Sequence, residues 1–216
     1  MQRIPLWCGG RLERFLDEVG RESAAYTSLV RGLIDRGLRG VRLVISDDHE
    51  GIKAAVFGEL LPGARWQRCT VHFERNVLSH VPASSMAEVA QDLSAIFKVR
   101  REKTARALAG EFMELYSKRF PKAVSVFEAG ITDALSYLGY PGSHHAKLRT
   151  TNMLERLFKE VKRRTRVVGV FANESSAATL ATEIALRSSE EWALRRYLTM
   201  DALEAAEKPN PQLSRH

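Results

Sequence analysis

The sequence predicts an α/β protein in which a short, mostly parallel sheet is followed by an all-α segment. Apolar residues recur with a helical period in residues 22–36, run almost continuously in residues 41–45, and alternate in residues 65–73. A strand, a helix and a strand in succession are typical of a βαβ unit. From Pro82 to Leu138 the helix-forming residues Ala, Leu, Glu, Lys and Arg dominate, and they predict helices throughout.

The predicted sheet lies between residues 22 and 81. A helix over 22–36 ends before two glycines, and the apolar run 41–45 is typical of a strand buried on both faces. A helix over 49–61 and a Pro-Gly turn lead to a second strand over 65–73. Residues 1–20 have no clean period of either kind.

The second half of the chain is predicted to be helical with one break and one loop. Phe120-Pro121 breaks the all-α segment, and the stretch after Pro141, which contains His144 and His145, reads as a loop. Leu154, Leu157, Phe158 and Val161 then fall on one face of a helix that follows Thr150-Thr151-Asn152. Residues 167–171 predict a short extended stretch, 173–176 a cap, and 177–200 further helices.

These patterns divide the chain into five segments. They are an N-terminal segment (1–21), the α/β part (22–81), a helical insertion (82–140), the C-terminal helices of the same core (141–200) and a tail (201–216).

The charge balance predicts a polyanionic partner. The chain has a net charge of +7 and a pI near 9.6, and clustered Lys and Arg gain free energy by releasing counterions from phosphates. Nucleic acid is the first candidate and an acidic lipid surface the second. No apolar run is long enough to cross a bilayer and no secretory signal is recognisable, so we expect a cytoplasmic protein. Two cysteines are too few for a disulfide framework.

Asp47 is the first candidate site residue. It follows the predicted buried strand directly, and open α/β sheets bind ligands and metals at the carboxyl ends of their strands. The alternative is that Asp47 or Asp48 caps the helix predicted to begin near His49.

Glu155 is the second candidate. It precedes a row of bases at helical spacing, Lys159, Lys162 and Arg166, so a metal bound by the carboxylate would lie beside a DNA backbone. The alternative is a capping box, in which Asn152 caps the helix and Glu155 reaches back to a backbone amide.

Residues 147–166 carry most of the net charge. Eight bases stand there against two acids, whereas a solvated helix face normally alternates in sign. The stretch therefore favours phosphate contact. The bases are Lys147, Arg149, Arg156, Lys159, Lys162, Arg163, Arg164 and Arg166.

Cys69 and His72 have the spacing of half a zinc site. Structural zinc takes four ligands, and the only other cysteine is Cys8. A packed cysteine with a histidine near the crevice is the preferred interpretation, and a zinc-dependent module is the weaker alternative. Trp66 and Phe73 are predicted core residues.

Several ordered motifs resemble the Mutator-type transposases of bacterial insertion sequences, from about Glu22 to Met200. The most specific are Trp66-Gln67-Arg68-Cys69 with Val71-His72-Phe73, and Thr151-Asn152-Met153-Leu154-Glu155-Arg156. Others are Val44-Ile45-Ser46-Asp47, His49-Glu50-Gly51-Ile52, His144-His145, Val167-Val168-Gly169-Val170-Phe171 and Glu191-Trp192.

The resemblance implies a ribonuclease-H-like catalytic core with an all-α insertion. It implies that Asp47 and Glu155 are the second and third acids of an Asp-Asp-Glu triad that binds Mg²⁺ or Mn²⁺ and transfers DNA phosphoryl groups. His72 then lies near the active site. The implied partners are double-stranded DNA and further copies of the chain, at the nucleoid and without a membrane. The residues expected to contact DNA are Arg149, Arg156, Lys159, Lys162, Arg163 and Arg166.

The sequence departs from the family's pattern at its start. The first acid of the triad is expected on an earlier strand, and residues 1–20 show no predicted strand that ends in an aspartate. Asp17 is the aspartate available there. We therefore expect an N-terminally truncated catalytic domain, which also lacks the family's DNA-binding part. The rival expectation is a noncatalytic, DNA-binding or dimer-forming remnant that regulates an intact transposase.

Overall fold

The structure, a computed structural model, describes residues 7–8, 23–49, 51–53, 60–193 and 198. In chain order its elements are β1 (Trp7–Cys8), α1 (Ser23–Asp35), β2 (Leu43–Ser46), β3 (Arg65–Arg68), α2 (Thr70–Leu78), α3 (Met86–Lys98), α4 (Glu102–Tyr116), α5 (Pro121–Ala134), α6 (His145–Leu148), α7 (Asn152–Val168), β4 (Val170–Phe171) and α8 (Glu174–Ala193). A 3-10 helix, Ser136–Gly139, lies between α5 and α6. Helices dominate and the strands are few, in agreement with the predicted α/β class.

The chain divides into two compact units. The first unit comprises residues 1–40, 49–62 and 151–197, and the second comprises residues 41–48, 63–150 and 198–216. Among the described elements, α1, α7, α8 and the pair β1–β4 belong to the first unit. The strands β2 and β3 and the helices α2 to α6 belong to the second.

The second unit contains the predicted parallel strand pair. β2 and β3 pair in parallel, with Leu43 opposite Arg65 and Ser46 opposite Arg68. A parallel pair requires a crossover connection, and the chain between the two strands makes it. Gly51–Lys53 are helical, and the rest of the helix predicted over 49–61 lies mainly outside the described residues.

The core of the second unit is built by helices α2 to α5. Phe73, Leu93, Phe112 and Phe127 are at most 3% exposed and belong to one apolar cluster. The predicted break at Phe120-Pro121 is confirmed, since Pro121 is the first residue of α5. Proline suits this position because its fixed φ is helical and its missing N–H would have no helical partner there.

The first unit contains a small antiparallel pair and two long helices. Trp7 lies opposite Phe171 and Cys8 opposite Val170. Phe171 is buried with Ala177 of α8. Asn173 caps α8 as predicted, because its side-chain oxygen accepts the Ser176 amide at 2.8 Å.

The second strand, β3, is shorter than the predicted strand over 65–73. It ends at Arg68, and α2 begins at Thr70, so Val71 and Phe73 are helical. The alternation of Trp66, Arg68, Val71 and Phe73 is misleading because Thr70, Phe73 and Val77 also fit a helical face, and that face is the one that is buried.

Three shorter stretches also differ from prediction. The loop after Pro141 contains the one-turn helix α6, and α7 continues through Val168, which leaves two extended residues in the stretch 167–171. Trp7 and Cys8 form a strand where none was predicted. Elements of two to four residues are too short to show a periodic pattern in the sequence. The remainder of 1–22, Asp17 included, lies outside the described residues.

Candidate functional site

Asp47 lies directly beyond the carboxyl end of β2, as predicted. The carboxylate is exposed, and it makes no hydrogen bond or ion pair with the described residues of the second unit. Its backbone is fixed, because the buried Ser46 hydroxyl donates to the Asp47 carbonyl at 2.8 Å and accepts from the indole N–H of Trp66 at 2.8 Å. The local structure therefore presents an exposed carboxylate on a backbone that hydrogen bonds fix in place.

Four consecutive residues around the end of β3 are at most 5% exposed. We call them the buried joint: Trp66, Gln67, Arg68 and Cys69. The Cys69 amide donates to the Ser46 carbonyl at 2.7 Å. The Gln67 side chain donates to the Ala134 carbonyl at 2.8 Å and accepts from the Tyr137 amide. The joint thus connects the strand ends to the last helical segments of the insertion. The predicted burial of Trp66 is confirmed.

Arg68 is the charged member of the buried joint. Its guanidinium pairs with the Asp48 carboxylate at 2.9 Å and lies 4.8 Å from the centre of the Phe73 ring. Neither Gln67 nor Arg68 was predicted as important. The available signal was the presence of two long polar side chains in a strand that packs on both faces, which requires buried partners.

Cys69 is the N-cap residue of α2, and His72 lies in its first turn. Cys69 is fully buried, as the packed-cysteine interpretation predicts, and His72 is half-buried. His145, a further nitrogen donor in this unit, is 2.7 Å from the Tyr140 carbonyl through Nε2. The side chain of Cys8 lies outside the described part of the chain.

Arg149 has an internal contact in the second unit. Its guanidinium donates to the Phe97 carbonyl at 2.7 Å, and its own carbonyl accepts the Thr70 amide at 2.9 Å. Burial raises the pKa of the nearby Glu74 carboxyl, and the charge of Arg149 counteracts the rise. Arg149 therefore links the ends of α2 and α3, and its predicted DNA contact stays a prediction.

Glu155 lies in the first turn of α7, in the first unit. It is half-buried, and its carboxylate accepts the Thr151 hydroxyl at 3.0 Å. Thr151, not Asn152, is the N-cap residue, and its side chain makes no capping hydrogen bond to the backbone. The predicted capping box with Asn152 as the cap is therefore wrong. A carboxylate in this turn is favoured by the positive end of the helix dipole.

Five exposed bases of α7 form what we call its basic face: Arg156, Lys159, Lys162, Arg163 and Arg166. The last four of them line one shallow surface depression together with Val167. Arg163 shares the Glu160 carboxylate with Arg164, at 2.8 Å from each. These hydrogen bonds lower the pKa of Glu160 to about 2, so it neutralises part of this positive charge at every physiological pH.

The site residues are thus distributed over both units. Asp47, His72 and Arg149 belong to the second unit, and Glu155 and the basic face belong to the first. None of the helices in the described part of the chain combines the length and the apolar character that a membrane span requires.

Comparison with known proteins identifies related sequences. A family model described as "Transposase, Mutator family" matches residues 17–194. The transposase for insertion sequence element ISRM5 of Rhizobium meliloti is 40% identical over 204 residues, which are 94% of this chain and 51% of that protein. The IS406 transposase of Burkholderia multivorans is 36% identical over 76% of this chain and 42% of its own length.

A more distant relative is the transposase for insertion sequence element IS256 in transposon Tn4001 of Staphylococcus aureus. It is 31% identical over 191 residues, which are 87% of this chain and 48% of that protein. The chain therefore spans about half the length of the curated relatives that it matches.

Proposed function

This chain belongs to the Mutator family of transposases, and we propose that it carries part of the site with which an insertion-element transposase cuts and joins DNA. The observation that carries this proposal is the available carboxylate of Asp47 at the carboxyl end of a parallel strand pair. Such strand ends are where open α/β sheets bind their ligands. We extend the proposal to a ribonuclease-H-like core of the Asp-Asp-Glu type.

Asp47 and Glu155 are the proposed ligands of Mg²⁺ or Mn²⁺. Both ions prefer carboxylate oxygens and complete their coordination with water and phosphate oxygens, so one or two carboxylates suit them. The donor chemistry fits, since Asp47 is exposed and Glu155 is half-buried. When bound, the ions activate a water or 3′-hydroxyl nucleophile and stabilise the leaving oxygen of a DNA phosphodiester.

The surrounding residues hold these carboxylates and the DNA. Ser46 and Trp66 fix the backbone at Asp47, and Thr151 orients the Glu155 carboxylate through its hydroxyl. The basic face contacts the phosphate backbone, because exposed Lys and Arg on one side of a helix release counterions from a duplex. His72 and Arg149 lie at the ends of α2 and α6, respectively, and would contact phosphate near the strand ends.

The proposed partners are double-stranded DNA, as element ends and as target, and further copies of the chain. The proposed location is the bacterial nucleoid.

Metal-dependent nicking tests the proposal. The chain would be incubated with a labelled duplex and Mg²⁺ or Mn²⁺, and both DNA binding and strand breaks would be measured for wild type, Glu155→Gln and Asp47→Asn. Asp35→Asn, an exposed aspartate at the end of α1, is the matched control. Nicking in wild type and control that falls at least a hundredfold in the other two variants is expected.

Two other outcomes would contradict the proposal. Equal nicking by all four proteins would remove Asp47 and Glu155 from the reaction. Salt-sensitive DNA binding without nicking in any protein would instead identify a noncatalytic DNA-binding chain.

A further inference from the structure

The guanidinium of Arg68 is enclosed on three sides in the second unit. Its side chain is 6% exposed, and the Phe73 ring forms one wall at 4.8 Å. Gly130 of α5 forms another, because a Cβ at this position would overlap Nη1 of Arg68 and lie 2.7 Å from the Phe73 ring. Only glycine therefore leaves room for this cation against α5.

The third side of the guanidinium faces the turn that follows β2. Nη2 pairs with Asp48 at 2.9 Å, and Asp48 is the immediate neighbour of Asp47. The hydroxyl of Ser46 holds the Asp47 carbonyl from the other side. The turn that carries Asp47 is therefore held before and after the carboxylate, by two different groups of the second unit.

Stability alone does not account for this arrangement. A glycine inside a helix costs about 1 kcal/mol relative to alanine. A buried cation loses its hydration, and a partly exposed carboxylate such as Asp48 offsets only part of that cost. The Nε atom of Arg68 is buried and has no hydrogen-bond partner in the described part of the chain, which adds a further cost.

We propose that Arg68 is a positioning residue for Asp47. Through Asp48 it keeps the turn after β2 in one conformation, so that the Asp47 carboxylate is preorganised to bind a divalent cation. Gly130 makes the arrangement possible by leaving space for the guanidinium. This inference rests on the proposed function, because it takes Asp47 as a metal ligand.

Arg68→Met gives the sharpest test, since positioning and electrostatics predict opposite results. Removing a cation near Asp47 would by Coulomb's law alone strengthen the binding of another cation. Loss of positioning weakens it instead. We expect Mn²⁺ affinity, measured on the full chain by electron paramagnetic resonance, to fall at least threefold in Arg68→Met.

Gly130→Ala provides a second test, with Gly110→Ala of α4 as its matched control. Nothing lies within 4 Å of a Cβ at Gly110, so that substitution should leave Mn²⁺ affinity unchanged. Gly130→Ala should weaken it at least threefold. The double variant Gly130→Ala/Arg68→Lys should regain a measurable part of the loss, because lysine keeps the charge and lacks Nη1, while the contact with the Phe73 ring remains. Thermal unfolding of each variant identifies those that are folded.

Asp47→Asn in the same titration separates the two proposals. If it abolishes Mn²⁺ binding while folded Arg68→Met and Gly130→Ala bind as wild type does, the positioning role is overturned and the proposed function stands. If Asp47→Asn binds Mn²⁺ as tightly as wild type, both are overturned.

Discussion

Two ion pairs of nearly equal length have very different surroundings. Arg68 and Asp48 are 2.9 Å apart with side chains 6% and 34% exposed, whereas Arg163 and Glu160 are 2.8 Å apart with side chains 60% and 37% exposed. The two carboxylates are about equally exposed, so the difference lies in the arginines. Arg68 is buried within the second unit, whereas Arg163 lies in solvent on the basic face.

The physical reason is solvent. An exposed pair is screened by water and salt and contributes little to stability, but its arginine can exchange a carboxylate for a phosphate. The buried guanidinium of Arg68 cannot reach a phosphate in this way, so its pair with Asp48 fixes geometry instead. The buried joint therefore holds the strand ends in place, and the exposed arginines keep the freedom to exchange partners that the proposed DNA contact requires.

The largest expected effect is on the buried joint. Gln67→Leu removes the side chain that satisfies the Ala134 carbonyl and the Tyr137 amide. Because a buried unsatisfied polar group costs about 1–3 kcal/mol, we expect unfolding in urea to show a loss of roughly 3 kcal/mol in total. Gln91→Leu on the exposed side of α3 is the control and should change stability little. Equal losses of stability in Gln67→Leu and Gln91→Leu would contradict the structural role of the buried joint.

A substantial effect on DNA affinity is expected from the basic face. The triple variant Lys159→Ala/Lys162→Ala/Arg166→Ala should weaken duplex binding at low salt by roughly one to two orders of magnitude. The slope of the logarithm of affinity against the logarithm of salt concentration should become shallower by about 3. Stability should hardly change because these side chains are exposed. Arg187→Ala on α8 is the control, measured by fluorescence anisotropy. An unchanged salt slope would exclude these residues as phosphate contacts.

A smaller effect of opposite sign is expected at Glu160. Glu160→Gln releases Arg163 and Arg164, so DNA affinity should rise roughly two- to threefold. The pKa of Glu160, lowered to about 2, keeps the carboxylate ionised in the native protein, and the ion pair is lost only as the pH falls toward 2. The gain should therefore be constant between pH 5 and pH 8. Glu183→Gln, whose partner is Arg187, should produce no gain.

The smallest effect concerns Glu74 in the second unit. Burial raises its pKa above the ordinary value of 4.5, so the native protein holds this proton more tightly than the unfolded chain. The carboxyl therefore favours folding at low pH, and this contribution is lost as the pH rises through the raised pKa. Glu74→Gln should stabilise the protein at pH 7 by less than about 1 kcal/mol and by less still at pH 4. A melting temperature that falls in the variant at pH 7 would contradict this.

Local features of the fold could be predicted and long-range ones could not. The strand that ends before Asp47, the helix break at Pro121 and the cap at Asn173 depend on neighbouring residues, and all three are confirmed. The predicted strand over 65–73 was wrong after Arg68, because nine residues fit two periods and packing against the insertion decides between them. The start of α7 was predicted to within one residue.

The candidate site shows the same limit. Asp47 and Glu155 could be proposed because each precedes or follows a recognisable element. For Gln67 the sequence could indicate a buried polar side chain but not its partners, since Ala134 and Tyr137 are 67 and 70 positions away. Nor could the space that Gly130 leaves for Arg68, which depends on where α5 packs. The ribonuclease-H-like arrangement and the metal ligands stay predictions.

The most direct test of the central claim, that Asp47 binds the metal, is the metal dependence of nicking by Asp47→Cys. A thiolate is a soft ligand that accepts Mn²⁺ far better than Mg²⁺. We predict that the variant loses nicking in Mg²⁺ and regains a measurable part of it in Mn²⁺, while Asp35→Cys behaves as wild type in both. Wild-type nicking by Asp47→Cys in Mg²⁺, or no recovery in Mn²⁺ by the folded variant, would contradict the account.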